Sequence, residues 1–258
     1  MNSMDFKDKV IIITGGTGKI GQVLVKNFVS LDAKVVIVPT RNPVNKGILK
    51  DLKRVIFKKC DLSKLKDIKN LSKFVIEKYG RIDILINNAA VDIDQPLLTV
   101  SQADFESLIK INLIAPYHFC KCILPQMINQ KSGKIVNISS VLSKKTIINA
   151  TEYSISKGAL DALNRSLAVE YGKYNINING INIGGMKGKL NKVNEIINFR
   201  SIKESDYIYS GIKNDKIPMK RYGNLQEYVN VILFLSSELS SYINGANIPV
   251  DGGILSQQ

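Results

Sequence analysis

The sequence has little of what several classes of protein need. Its 258 residues include three cysteines and one histidine, His118. Three cysteines are not the pattern of a disulfide framework or a four-ligand metal site, and Cys120 and Cys122 fall on different sides of a predicted helix. The histidine lies inside that helix and no Gly-x-Ser-x-Gly motif is present, which argues against a serine–histidine hydrolase. We therefore expect no metal, and we interpret the cysteines as packing residues.

The chain also lacks a long apolar run. No stretch is long enough to cross a bilayer, and the first nine residues, MNSMDFKDK, contain no apolar secretory core. A hydrophobic content of 45% with 22% charged residues is typical of a globular domain. We expect a single cytoplasmic domain over residues 1–258 without membrane contact. Residues 186–217 are the least regular part and are predicted to form a substrate lid.

Acidic residues are scarce relative to basic ones. There are 36 Lys and Arg against 22 Asp and Glu, for a formal net charge of +14. Such a charge allows nucleic acid, acidic proteins or anionic metabolites as partners. However, the lysines are spread along the chain, and richness in Lys, Ile and Asn can also reflect genome composition. The charge pattern therefore argues against nucleic acid as the main partner.

Short apolar runs alternate with helical patterns along the chain, which predicts an α/β fold. The predicted helices cover about residues 65–79, a long segment after a capping box at Ser101, a segment from Tyr153, and residues 226–237. The predicted strands are Val10–Ile13, Val35–Val38, Val55–Phe57, Ile82–Ile86, Gly133–Ser140, Ile176–Asn182 and Asn247–Val250.

A glycine-rich turn between the first strand and the first helix predicts a dinucleotide site. Glycines permit a tight turn and let the backbone approach a pyrophosphate, which then lies at the positive end of the helix. The candidate cofactor-binding residues here are Gly15, Thr17, Gly18, Lys19, Ile20 and Gly21.

The end of the second strand lacks an acidic residue that would accept a hydrogen bond from the ribose 2′-hydroxyl of NAD. It carries Thr40 and Arg41 instead, and Lys19 lies in the first turn of the first helix. Both cations suit a 2′-phosphate, so NADP(H) is favoured and NAD(H) remains possible. The alternative is that both cations are merely solvated.

Tyr153 and Lys157 are spaced by one helical turn. An ammonium about 4 Å from the phenol, at an effective dielectric of about 20, is worth roughly 4 kcal/mol and would bring the phenol pKa towards working pH. The alternative is a solvated helix face. Ser140 ends a strand at the sheet edge where ligands bind. Pro116 has no N–H, so the carbonyl of Asn112 lacks its usual partner, which either frees it for a water or ligand or only marks a kink.

These motifs together resemble the classical short-chain dehydrogenase/reductases over nearly the whole chain. The residues that carry the resemblance are Thr14–Gly21, Asn87-Asn88-Ala89-Ala90, Asn112, Ser140, Tyr153-x-x-x-Lys157 and Val250-Asp251-Gly252-Gly253. It implies a single Rossmann-type doubly wound domain with a mostly parallel seven-stranded sheet flanked by helices, in a homotetramer or homodimer. Three positions depart from the family pattern, namely Lys19, Ile183 and Gly188.

The resemblance also implies roles. Tyr153 would exchange the proton, Lys157 would hold the nicotinamide ribose, Ser140 would orient the carbonyl and Asn112 would hold a water of the proton relay. Further implied cofactor contacts are Thr40, Asp61, Leu62, Asn88, Ala89, Ala90 and Gly184.

We therefore expect an NADPH-favouring oxidoreductase that interconverts a carbonyl and a secondary alcohol in a small molecule. The substrate could be a 3-oxoacyl chain on an acidic carrier protein, or a sugar or nucleotide sugar of polysaccharide biosynthesis. The alternative from another class is a dinucleotide-binding sensor or basic nucleic-acid partner without turnover. Ser140, Tyr153 and Lys157 argue against it, because binding alone needs no acid/base pair.

Overall fold

The computed structural model describes residues 4–41, 49, 52–186 and 212–257. Its strands form one seven-stranded sheet in the order β3-β2-β1-β4-β5-β6-β7, and every neighbouring pair is parallel. The strands are β1 (Val10–Ile13), β2 (Val35–Thr40), β3 (Val55–Lys59), β4 (Ile84–Asn87), β5 (Gly133–Ser140), β6 (Ile176–Ile183) and β7 (Asn247–Val250). The expected seven-stranded Rossmann-type sheet is confirmed.

Helices cover both faces of this sheet. They are α1 (Lys19–Ser30), α2 (Leu65–Tyr79), α3 (Gln102–Ile109), α4 (Ala115–Gln130), α5 (Thr151–Tyr171) and α6 (Leu225–Ser236). In β1, Ile11 and Ile13 pack in the core formed with α1 and α6, whereas Val10 and Ile12 pack in the core formed with α2 and α4. Alternate side chains of a strand point to opposite faces, so a strand covered on both faces must be apolar throughout.

The strand order reverses at β1, which pairs with both β2 and β4. In open α/β sheets ligands bind in the crevice beyond the carboxyl ends of the strands at this point. The glycine turn follows β1, residues 88–90 follow β4, and Ser140 ends β5. The topology therefore brings the predicted motifs to one edge of the sheet.

The predicted long helix after Ser101 is interrupted. Its start is as expected, since the Ser101 hydroxyl accepts the Asp104 N–H at 3.1 Å. However, α3 ends at Ile109 and a π-helical segment, Lys110–Ile114, precedes α4. There the N–H of Ala115 bonds to the carbonyl of Lys110, five residues back. Because Pro116 lacks an N–H, the α-helical ladder cannot run regularly through this point, and a π-helical turn accommodates the break.

Two sequence predictions fall partly outside the described residues. The predicted lid, residues 186–217, is described only at Met186 and at residues 212–217, and Gly188 is not described.

None of the helices in the described ranges combines the length and apolar character that a membrane span needs.

Candidate active site

The glycine turn after β1 is closely packed. Gly15 has a φ of +63°, and a Cβ there would lie 2.9 Å from the Cα of Ala89. A Cβ at Gly21 would collide with the carbonyl oxygen of Gly15. Gly15 is therefore needed for its left-handed backbone, and Gly21 for the approach of α1 to the turn.

The amino end of α1 has no negative side chain of its own. Gly18 is its N-cap without a side-chain cap, and the first turn contains no acidic residue. Lys19 lies in that turn, and burial lowers its pKa. Unpaired N–H groups, the positive end of the helix dipole and a cation all favour an anion. Together with the glycine packing, this end of α1 fits a dinucleotide pyrophosphate.

The strand end after β4 braces the same turn. The Thr14 hydroxyl accepts the N–H groups of Asn88 and Ala89, both at 3.0 Å. The Asn88 amide donates to the carbonyls of Thr14 at 3.1 Å and Gly15 at 3.0 Å. The structure thus brings Asn88 and Ala89 to the turn, where the amide hydrogens of Asn88 serve its backbone. Thr14 is an addition to the predicted site residues, and only its place in the glycine motif signalled it.

The candidate adenosine side contains an ion pair that sequence did not indicate. The Arg41 guanidinium lies 3.3 Å from the Asp61 carboxylate. Burial alone would raise the Asp61 pKa, but hydrogen bonds from Ser63 and the Arg41 charge outweigh it and hold that pKa below its ordinary value. Thr40 lies beside this pair, since its carbonyl accepts the N–H of Cys60 at 2.9 Å. The predicted residues at the ends of β2 and β3 are therefore neighbours.

Tyr153 and Lys157 meet on one face of α5. The Lys157 ammonium lies 5.4 Å from the centroid of the Tyr153 ring and donates to the carbonyl of Ile138 at 2.8 Å. Lys157 is 2% exposed. Burial lowers its pKa to about 8, although the charges of Asp92 and Asp161 oppose this shift. The site thus holds a desolvated cation beside a phenol, which favours the phenolate.

Ser140 lies at the end of β5 with its hydroxyl oriented. Its Oγ accepts the N–H of Leu142 at 3.1 Å, and its carbonyl accepts the Asn182 amide at 3.1 Å. The Asn182 amide also reaches the Asp161 carboxylate at 3.0 Å, and the Ser143 hydroxyl donates to the same carboxylate at 2.7 Å. This buried network joins β5, β6 and α5. Sequence reasoning missed it because its members are far apart in the chain.

Asn112 is 1% exposed and acts as a clamp through its side chain. Its Oδ1 accepts the N–H of Val91, and its Nδ2 donates to the Val91 carbonyl, both at 2.8 Å. The same Nδ2 reaches the Ser156 Oγ at 3.1 Å, and Ser156 donates to the carbonyl of Tyr153 at 2.7 Å. Asn112 therefore ties the loop after β4 to α5, whereas a water at its carbonyl stays a prediction.

Gly184 follows β6 at the same sheet edge. Its N–H bonds to the carbonyl of Val250 at 3.0 Å, and a Cβ would lie 2.6 Å from the Cα of Asp251. The Asp251 carboxylate accepts the N–H groups of Gly253 and Leu255, both at 2.8 Å. The Val-Asp-Gly-Gly ending thus has a structural role beside the site.

The fold and this site define a Rossmann-type dinucleotide-binding domain with Ser140, Tyr153 and Lys157 at the crevice. A family model described as short chain dehydrogenase matches residues 9–196. The chain belongs to this family, as the motifs suggested.

Named relatives cover almost the whole chain. A 3-oxoacyl-[acyl-carrier-protein] reductase of Chlamydia pneumoniae is 31% identical over 250 residues, which are 95% of this chain and 96% of the relative. A 2-dehydro-3-deoxy-D-gluconate 5-dehydrogenase of Formosa agariphila is 28% identical, covering 97% of this chain and 94% of the relative. The crystal structure of levodione reductase superimposes with a TM-score of 0.84 at 27% identity, covering 98% of this chain and 100% of that one. The protein is accordingly an NAD(P)-dependent oxidoreductase that interconverts a carbonyl and an alcohol.

Proposed function

We propose that the protein is an NADPH-preferring carbonyl reductase in which Ser140, Tyr153 and Lys157 carry the proton chemistry. A bound nicotinamide cofactor would supply or accept the hydride. In reduction, the Tyr153 hydroxyl donates its proton to the carbonyl oxygen, and the Lys157 charge stabilises the phenolate that forms. The Ser140 Oγ already accepts a backbone N–H, so its hydroxyl hydrogen can be directed at the substrate oxygen.

The observation that carries this proposal is the buried Lys157 ammonium beside the Tyr153 ring, at the sheet edge that also holds the glycine turn. An ammonium so far removed from water is worth more to a neighbouring phenolate than a solvated one. A solvated Tyr and Lys pair would not have this geometry.

Replacing Tyr153 by Phe tests the proposal. We expect kcat for reduction of an acetoacetyl thioester to fall by about 10²- to 10⁴-fold, because the general acid is removed. NADPH binding, measured by fluorescence titration, should stay within a few fold of the wild type. Tyr242→Phe is the matched control, since Tyr242 is fully exposed. A Tyr153→Phe enzyme with most of its activity would refute the assignment.

We further propose that Asn112 takes part in the proton relay and that a larger set of residues lines the cofactor site. These are Gly15, Thr17, Gly18, Lys19, Ile20, Gly21, Thr40, Arg41, Asp61, Leu62, Asn88, Ala89, Ala90 and Gly184. The preference for NADPH rests on Arg41 and Lys19, and on the lack of an acidic residue at the end of β2. The chain is proposed to act as a single cytoplasmic domain with a small-molecule substrate. A 3-oxoacyl group on an acidic carrier protein is one candidate, because a chain of formal charge +14 would attract such a carrier.

A homotetramer or homodimer is proposed as the assembly. Exposed apolar side chains lie on α4 and α5, including Tyr117 (44% exposed), Ile155 (51%) and Val169 (88%). Burying each such side chain in an interface stabilises the assembly by about 1.5–3 kcal/mol before entropic costs. Sedimentation equilibrium tests this, since a chain that stays monomeric at micromolar concentration would contradict it.

A further inference from the structure

The loop after β4 carries a carboxyl group into the catalytic region. Asp92 follows Val91, whose N–H and carbonyl are both held by the Asn112 side chain. The same side chain bonds to Ser156, the residue before Lys157. This clamp fixes the backbone that carries Asp92 against the part of α5 that carries Lys157.

Asp92 is an exposed residue of this loop, and its Oδ1 accepts the N–H of Ile93 at 2.8 Å. Desolvation by neighbouring protein atoms raises the Asp92 pKa to about 6, and the charges of Asp94 and Glu152 act in the same direction, whereas the Lys157 charge opposes them. At neutral pH an ionised carboxylate therefore lies within electrostatic reach of the catalytic lysine.

Glu152 provides a second, independent observation. It is 2% exposed and lies one helical turn before Ser156, on the same face of α5. Its Oε2 is buried and has no hydrogen-bond partner among the described residues. Buried carboxylate oxygens are nearly always hydrogen-bonded, so a donor from outside the described chain is expected there. On this face of α5, the Glu152 Oε2 is therefore an acceptor that could receive a hydrogen bond from a ligand.

Tyr153 also has apolar neighbours. Tyr153 packs against an apolar cluster that includes Leu142 after β5, Ile217, and Ile254 in the carboxyl-terminal turn. The Lys145 ammonium fixes that turn, since it donates to the carbonyls of Ile254 at 2.9 Å and of Gln257 at 2.8 Å. A substrate at Tyr153 would therefore meet apolar side chains on this side.

We propose that Asp92, with Glu152 behind it, is an acidic wall that determines substrate specificity. It accepts a hydrogen bond from an uncharged donor beside the reacting carbonyl, such as a hydroxyl or amide, and it rejects carboxylates. The inference rests on the proposed function, because it takes Tyr153 as the place where the carbonyl binds. It predicts that uncharged 3-oxoacyl derivatives and polyols are substrates, whereas the corresponding keto acids are not.

A pair of isosteric ligands tests the wall. Acetoacetamide and acetoacetate differ only in an amide nitrogen against a carboxylate oxygen. Their dissociation constants are measured by calorimetry on enzyme saturated with NADP⁺, which gives a readout without turnover. For the wild type at pH 7 we expect acetoacetamide to bind at least about tenfold more tightly, because a carboxylate would face like charge.

Two changes should then remove the preference. Asp92→Asn keeps the shape and removes the charge, and lowering the pH from 7 to 5 protonates Asp92 through its pKa of about 6 while acetoacetate stays ionised. Both should reduce the ratio of the two dissociation constants by about tenfold. Glu77→Gln is the control for net charge, since Glu77 is exposed on α2.

The outcomes separate this inference from the proposed function. Equal binding of the two ligands to the wild type, an unchanged ratio in Asp92→Asn, or no binding of acetoacetamide would each overturn the acidic wall. If the ratio behaves as expected but neither ligand is reduced with NADPH, the wall stands and the assignment of carbonyl reduction is at fault.

Discussion

The two halves of the candidate site present different chemical groups. The cofactor half, β1 to β3 with α1, presents backbone N–H groups, a closely packed glycine turn and the cations Lys19 and Arg41. The catalytic half, β5 to β7 with α5, is held by buried polar side chains such as Asn137 and Asp161. The first half suits an anion, whereas the second orients neutral and acidic groups around one buried ammonium. The acidic wall proposed above is therefore compatible with a strongly basic chain.

The asparagines of the catalytic half form a ladder across the sheet. Asn87 donates to Asn137 at 2.6 Å, Asn137 donates to Asn164, and Asn164 donates to Asn247 at 2.6 Å. The ladder runs from β4 through β5 and α5 to β7. A Cβ at Gly180 in β6 would collide with the amides of Asn164 and Asn247, so a glycine leaves room for it.

Breaking this ladder should have the largest effect on stability. Asn164→Ala removes the partners of Asn137 and of Asn247, and each buried group left unpaired costs about 1–3 kcal/mol of unfolding free energy. We expect a loss of about 2–6 kcal/mol in chemical denaturation. Asn230→Ala is the control, because Asn230 is exposed and accepts a bond from the exposed Gln226 side chain. A loss below about 1 kcal/mol would show that the ladder is not a support of this half.

Breaking the glycine turn should affect the other half. In Gly21→Ala the new methyl group collides with the Gly15 carbonyl, and overpacking of this kind costs about 1–3 kcal/mol. Because the strain lies at the amino end of α1, we expect NADPH affinity to fall by about tenfold or more, as measured by fluorescence titration. Gly158→Ala is the control, since a Cβ there would meet nothing closer than 3.7 Å. If cofactor affinity were unchanged in Gly21→Ala, the turn would not be the pyrophosphate site.

This contrast also sets what the sequence could predict. The strands of the parallel core are continuous apolar runs, and the glycine turn is a local motif, so the sequence predicts β1 and its turn where they lie. Tyr153 and Lys157 are one helical turn apart, so the sequence also predicts that they share a helix face. Asp161, Asn182 and Ser143 were not, because they come together only through the pairing of β5 with β6.

The same limit applies to charge and to helix geometry. The sequence placed Arg41 at the end of β2 but did not indicate that Asp61 pairs with it, since the two are joined through the pairing of β2 with β3. Pro116 marked a break in the long helix, but the sequence did not indicate that the break takes the form of a π-helical segment. Such details follow from tertiary contacts rather than from local pattern.

Replacing Arg41 should change cofactor preference in the first half without the packing strain of Gly21→Ala. Arg41→Ala should lower the preference for NADPH over NADH by about tenfold. A charge-assisted hydrogen bond to the 2′-phosphate is worth about 1.5–3 kcal/mol, but Arg41 must weaken its ion pair with Asp61 to make that bond, so the net contribution is smaller. The ratio of kcat/KM for the two cofactors measures this. Arg54→Ala is the matched control, since Arg54 pairs with Asp32 at the surface. A wild type that prefers NADH would contradict this role of Arg41.

The smallest expected effect concerns the charge of Lys157 in the catalytic half. Burial lowers its pKa to about 8, so the ammonium is lost as pH rises through 8, well below the ordinary range of a lysine. Because the charged form stabilises the Tyr153 phenolate, we expect kcat to fall above about pH 8. The Asp161 charge raises the Lys157 pKa, so Asp161→Asn should move this fall to lower pH while keeping a side chain that can bond to Ser143. Glu170→Gln, an exposed change on the same helix, should leave the profile in place. An alkaline limb that is absent below pH 10, or that does not move in Asp161→Asn, would mean that Lys157 keeps its proton by contacts other than these carboxylates.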